Sequence, residues 1–191
     1  GHHWLRLQEG EAILICREGM IDEKERKRLL TKAGSYCAKA ERSSKEVTDK
    51  LYKWSLEPIS AEEVEQILEW LRSQHFIDEE RYVRHFVADK TELLGKGPFM
   101  LRRELRGKGV SDEAIERELA TIPDAKWIEL LERYLAPKLE RYRKKSKSAY
   151  DLRGRLMTAA YGRGYPSEIT EEVLREMDLT VEGEDEERWY E

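Results

Sequence analysis

Leu101-Arg102-Arg103-Glu104-Leu105-Arg106-Gly107-Lys108-Gly109-Val110 decides the architecture, because the chain carries the same pattern twice more. Leu101 answers to Val47 and Leu156, and Leu105 to Leu51 and Ala160, at offsets of 54 and 55 residues. The same offset lays Lys108-Gly109-Val110 over Trp54-Ser55-Leu56 and over Arg163-Gly164-Tyr165. A pattern recurring at that period marks stacked supersecondary units, each burying its apolar stripe partly against a neighbour. Each unit reads as a long helix, a short helix, a tight turn followed by a hydrophobic residue, and a third helix. The expected fold is all-α, an array of three tandem three-helix repeats spanning residues 22–75, 76–122 and 123–178. Residues 1–21 form an N-terminal segment, in which Glu11 to Cys16 fits a short strand or a frayed helix. Gly1-His2-His3 has the look of a tag remnant and carries none of the argument.

The helices carry their own start signals. Ser43 with Glu46, and Ser60 with Glu63, have capping-box spacing ahead of Val47 and Val64. Asp78 is placed to cap the next helix, with Ile77 and Tyr82 as a hydrophobic staple. Asp124, after Pro123, opens the third unit, and Pro137 should kink or restart its first helix. Gly107 and Gly109, like Gly162 and Gly164, stand where a helix must end through positive φ. Gly95-Lys96-Gly97-Pro98 reads as a flexible link with proline at the first helical position. It is no Walker A loop, which needs a Gly-Lys-Ser/Thr ending and a preceding strand.

Of 191 residues, 39% are apolar and 39% charged, against an ordinary charged share of about 25%. The longest apolar run, Ala12 to Cys16, is far too short to span a bilayer. Two cysteines and no secretory signal pattern lead us to expect a cytoplasmic protein with both thiols free. Cys37 is expected to pack as a small hydrophobe. His75 and His85 lie ten residues apart, which is no metal-binding pair, and no carboxylates stand out for acid/base work. No catalytic residue, metal site or cofactor is expected.

Net charge is −5, but residues 1–94 hold 16 basic and 19 acidic side chains, residues 95–163 hold 17 and 10, and residues 164–191 hold 2 and 11. Local field, rather than total charge, attracts phosphate or an acidic partner. On the helix starting at Pro98, at about 100° per residue, Leu101 and Leu105 share one side while Arg102, Arg106, Phe99 and Arg103 fall about 100–200° away. Arginines around an aromatic suit nucleic acid, and equally an acidic protein groove. Lys138, Arg141, Arg143, Lys144, Lys145, Lys147, Arg153, Arg155 and Arg163 extend the basic character into the third unit. Residues 179–191 read as a disordered acidic tail that solubilises the chain or folds back on the basic track.

Taken in order, Glu41-Arg42-Ser43-Ser44-Lys45-Glu46-Val47, Phe76-Ile77-Asp78-Glu79-Glu80-Arg81-Tyr82, and Gly95-Lys96-Gly97-Pro98 with the stretch from Leu101 to Val110 resemble the RecX family of bacterial recombinase regulators. The resemblance runs from about Ser35 to Met177, and the third unit keeps Arg163-Gly164-Tyr165 and the Ile169 stripe. It implies an elongated, curved array that binds along a RecA filament on single-stranded DNA and inhibits the recombinase's ATPase and strand exchange, with no catalytic residue. Arg42, Ser43, Asp78, Arg81, Tyr82, Gly95, Lys96, Gly97, Pro98, Lys108 and Gly109 match the family's motif positions. Capping and turn geometry already explain Ser43, Asp78 and the glycines. The binding candidates are therefore Arg42, Arg81, Tyr82, Lys96, Phe99, Arg102, Arg103, Arg106, Lys108, Lys144, Lys145, Arg153, Arg155 and Arg163. A monomer is expected, with no membrane partner. Two other readings stay open: a module that binds single- or double-stranded DNA directly and competes for it, and a helical scaffold for unrelated proteins.

Overall fold

A computed structural model describes residues 2–6, 12–16 and 21–183. The helices come in threes: α1 Glu23–Lys39, α2 Ser44–Trp54 and α3 Ala61–Ser73; α4 Glu79–Leu94, α5 Pro98–Gly107 and α6 Asp112–Leu119; α7 Asp124–Lys145, α8 Ala149–Gly162 and α9 Ser167–Arg175. Ahead of them β1 His2–Arg6 pairs antiparallel with β2 Ala12–Cys16, His2 opposite Cys16 and Arg6 opposite Ala12. The strand alternative for Ala12–Cys16 therefore holds, and the helical fold gains a β-hairpin. A five-residue apolar run fits a strand or a helix equally well, and only its pairing partner decides.

The chain divides into two compact units, one running to Tyr82 and taking in Lys108–Val110, the other covering Val83–Gly107 and Ser111 onward. In the first, Leu29 and Ala33 of α1, Val47 and Leu51 of α2, and Val64, Ile67, Leu68 and Leu71 of α3 form one core with Ile77. In the second, Leu130, Leu131 and Leu135 of α7 are fully enclosed, as are Leu152 and Leu156 of α8 and Val173 of α9. The six positions that revealed the period, Val47, Leu101, Leu156, Leu51, Leu105 and Ala160, are all 0% exposed. Burying a leucine to that degree contributes about 1.5–3 kcal/mol, which is why the spacing is kept.

The caps form as read at Ser43, Ser60 and Asp78, whose side chains accept from the backbone N–H of Glu46, Glu63 and Arg81 at 3.1, 3.1 and 3.0 Å. Asp22, Ser111 and Ser148 do the same for α1, α6 and α8. The box glutamates reach further than expected. Glu63 Oε2 accepts the Ile21 N–H at 2.8 Å, and Glu46 Oε1 accepts the Tyr82 hydroxyl at 3.1 Å. Both carboxylates thus join segments distant in sequence.

Three local expectations need correction. α7 runs unbroken through Pro137 rather than restarting there, while it begins at Asp124, as read, with Pro123 at the cap position. The positive φ expected at each glycine pair falls on its second glycine, Gly109 at 78° and Gly164 at 95°. Gly95–Pro98 is fixed rather than loose: Gly97 N–H donates to the Arg163 carbonyl at 2.8 Å, Phe99 N–H to that of Gly164 at 3.0 Å, and the Tyr165 hydroxyl to that of Gly95 at 2.9 Å. A Cβ on Gly97 would lie 2.6 Å from the Gly164 backbone, so two main chains touch where only glycines fit. Finally, Val181 is buried and Arg143 donates to the carbonyls of Asp178 and Thr180, so residues 179–183 belong to the folded unit. The rest of the acidic tail lies outside the described residues.

Candidate partner-binding face

α5 presents the face that the helical wheel outlined. Its inward stripe is Leu101 and Leu105, and Phe99, on the opposite side, is 54% exposed. The Arg102 guanidinium sits 5.6 Å from the Phe99 ring centroid, a cation–π contact that holds the ring outward. Arg102 also makes a two-point bond to Glu116 of α6, at 2.6 and 3.1 Å, and Arg106 pairs with Asp112 at 2.7 Å. That carboxylate raises the Arg106 pKa further, so the charge is permanent but locally offset. Arg103 is exposed and has no carboxylate within ion-pair distance among the described residues. The face is thus an exposed ring with one unpaired guanidinium and two already committed to α6.

Most other candidates are held by the fold itself. Arg42 lies 3.8 Å from the Tyr36 ring centroid and donates to the Tyr36 carbonyl. Arg81 bonds Glu41 at 2.5 Å and the His75 carbonyl at 3.0 Å, tying the α1–α2 loop to the end of α3. Tyr82 is only 5% exposed; burial first, then the neighbouring Glu46, pushes its phenol above the ordinary tyrosine value. Lys96, 14% exposed, pairs with Glu104 at 2.5 Å, and Lys108 with Glu46 at 3.4 Å. In the third repeat Arg153 pairs with Glu171 and Arg155 with Asp151. Arg163 donates to the Leu94 carbonyl at 2.8 Å while its guanidinium covers Tyr134 at 5.1 Å. Lys144 and Lys145 are exposed and carry no ion pair among the described residues.

The sequence reading names these cations but not the partners that hold them. Glu116 stands 14 residues beyond Arg102 and Glu41 stands 40 before Arg81, separations at which no local spacing rule applies. It also missed Arg143 as the residue that pins Asp178 and Thr180, for which the sequence carries no signal. Cys37 is free and half-buried; burial raises its thiol pKa, opposed by Arg42. The side chain of Cys16 lies outside the described residues. Among those residues no group of His, Cys, Asp or Glu is arranged to hold a metal ion, and no helix is long and apolar enough to cross a membrane.

Comparison with known proteins places this arrangement. Residues 78–119, which hold α4 to α6 and the Phe99 face, match the family model for the RecX second three-helix domain. "Regulatory protein RecX" of Halalkalibacterium halodurans is 30% identical over 126 residues, covering 66% of this chain and 46% of that protein. Its counterpart in Clostridium botulinum (strain Eklund 17B / Type B) is 28% identical over 170 residues, covering 89% and 72%. The chain spans about half the length of the first of these curated relatives and 56% of the one from Bacillus pumilus. The crystal structure of RecX from Lactobacillus salivarius superposes with a TM-score of 0.73 at 23% identity, over 82% of this chain and 98% of that one, which shows a common fold. The ordered motifs, the matched central domain and the shared helical fold together make this chain similar to the RecX family.

Proposed function

We propose that this protein binds a RecA filament on single-stranded DNA and restrains it, lowering recombinase ATPase and strand exchange. The observation that carries the reading is the match of residues 78–119 to the RecX second three-helix domain, on the segment that bears the exposed Phe99 and the unpaired Arg103. An exposed aromatic beside arginine is the composition of an interface anchor, where truncation commonly costs about 2 kcal/mol or more, about 30-fold in affinity. Inhibition needs no bond-making by the regulator. Binding one filament geometry more tightly than another shifts the population toward it. Lys144 and Lys145 supply further positive charge for the polyanionic filament.

The test is recombinase ATPase on single-stranded DNA, titrated with the protein at two salt concentrations. Phe99→Ala with Arg103→Glu should raise the concentration needed for half-inhibition at least tenfold, with helical content unchanged. Reversing Arg102 and Arg106 would be a poorer probe, since Glu116 and Asp112 would then face like charges. Inhibition by the Phe99/Arg103 variant equal to wild type removes this face from the mechanism.

A further inference from the structure

The last turns of α7 and the first turns of α8 frame a shallow cleft of about 560 Å³, lined by Tyr142, Tyr150, Asp151, Gly154, Arg155 and Thr158. Three independent observations mark it. Tyr150 is 85% exposed, a flat apolar ring offered to solvent with no ring contact to hold it among the described residues. Lys144, Lys145 and Lys147 lie in the short stretch of chain between Tyr142 and Tyr150, exposed and without carboxylate partners among the described residues. Arg141 adds a guanidinium 5.4 Å from the Tyr142 ring centroid. The one carboxylate of the lining, Asp151, is already engaged by Arg155 at 3.3 Å and by the Lys147 N–H at 3.0 Å. The field over the cleft is therefore positive.

Gly154 is the third observation. It lies in the interior of α8, where glycine is unfavourable relative to alanine, and nothing stands within 4 Å of where a Cβ would be. No packing constraint in the fold calls for a glycine there. It keeps the cleft floor open to backbone approach, a use for which glycine suits a ligand site.

We propose that this cleft takes an unstacked base of single-stranded nucleic acid, with Tyr150 and Tyr142 against the base and Lys144, Lys145 and Lys147 on the flanking phosphates. A ligand matching both an arc of cations and a flat apolar slot alternates anions with planar rings, as single strands do. An acidic peptide satisfies the lysines but leaves the slot empty. A duplex keeps both faces of each base covered. The inference goes beyond the filament reading and does not need it, because the ligand is bare strand and the site is distinct from the Phe99 face.

The experiment is fluorescence anisotropy with a labelled oligothymidylate strand and the full chain, without recombinase. Tyr150→Ala should weaken binding about 5- to 150-fold at fixed salt. An abasic strand should bind wild type no better than the base-bearing strand binds Tyr150→Ala. Replacing the three lysines by glutamine should reduce the slope of log affinity against log salt by about 0.7 for each phosphate no longer neutralised. Gly154→Ala should raise the thermal midpoint and yet weaken binding, opposite signs that a purely structural role for the glycine does not produce. Three results each overturn the proposal: no binding by wild type at about 50 mM salt, Tyr150→Ala and the abasic strand both equal to their controls, or a polyglutamate peptide binding as tightly as the strand with the same lysine dependence. ATPase inhibition measured on the same variants keeps the two readings apart, since Tyr150→Ala should lose strand binding whether or not it loses inhibition.

Discussion

Gly97→Ala offers a severe test of the second unit's construction. The new Cβ would sit 2.6 Å from the carbonyl carbon and oxygen of Gly164 and 2.8 Å from a ring carbon of Tyr165. Backbone cannot swing aside as a flexible side chain does, so residues 95–99 and 163–165 must separate. Overpacking of that kind costs about 1–3 kcal/mol. Separation also weakens two backbone hydrogen bonds, Gly97 N–H to Arg163 and Phe99 N–H to Gly164, at about 0.5–1.5 kcal/mol each. The combined cost is about 2–6 kcal/mol. With a urea dependence of about 2 kcal/mol per molar, the unfolding midpoint read by far-UV circular dichroism should fall by about 1–3 M. Gly107→Ala is the internal control: nothing lies within 4 Å of its Cβ position, and alanine there should be neutral or stabilising by up to about 1 kcal/mol. A Gly97→Ala protein that unfolds at the wild-type midpoint, or a Gly107→Ala protein that loses as much, refutes the argument from main-chain contact.

Arg81→Ala should cost about 1–3 kcal/mol in the same assay, because it leaves Glu41, one of whose oxygens is already buried without a partner, with a second unpaired one; Arg81→Lys should recover only part, and a loss below about 0.5 kcal/mol would show the pair to be incidental. Glu92 bonds Lys126 and Arg133, and those hydrogen bonds hold its carboxyl below the ordinary value. A lowered folded-state pKa means a contribution present above the carboxylate range and lost as pH falls through the folded value. NMR titration should place the Glu92 midpoint below that of a free glutamate at low salt and move it back at about 1 M salt, where screening reaches about 3 Å. An ordinary midpoint at low salt would show the network to be absent in solution.

Positions that read most clearly from the sequence were those whose job is apolar burial. Val47, Leu51 and their counterparts report a period because helix geometry repeats and the core excludes anything else. Caps were legible at their N–H acceptors, since Ser43 and Ser60 act within three residues of themselves. The destinations of Glu46 and Glu63 were not, because both depend on where other helices pass. The basic face suffered the same limit: Arg102 and Arg106 were found, while the acids that occupy them on α6 were not. Gly154 and Tyr150 were passed over in the sequence, because only exposure and open space give either a meaning.

The close approach of Gly164 to Met100 has a smaller counterpart in Gly109 and Lys45, where the Cβ position comes within 3.2 Å of the neighbouring side chain. In both, the positive-φ glycine after a middle helix meets the start of the preceding middle helix. The middle module thus carries a plug, Gly109, after its short helix and a socket, Met100, at that helix's start. Duplication of a segment at this period would copy both fittings at once, so a lineage could lengthen the chain without first evolving a matching surface.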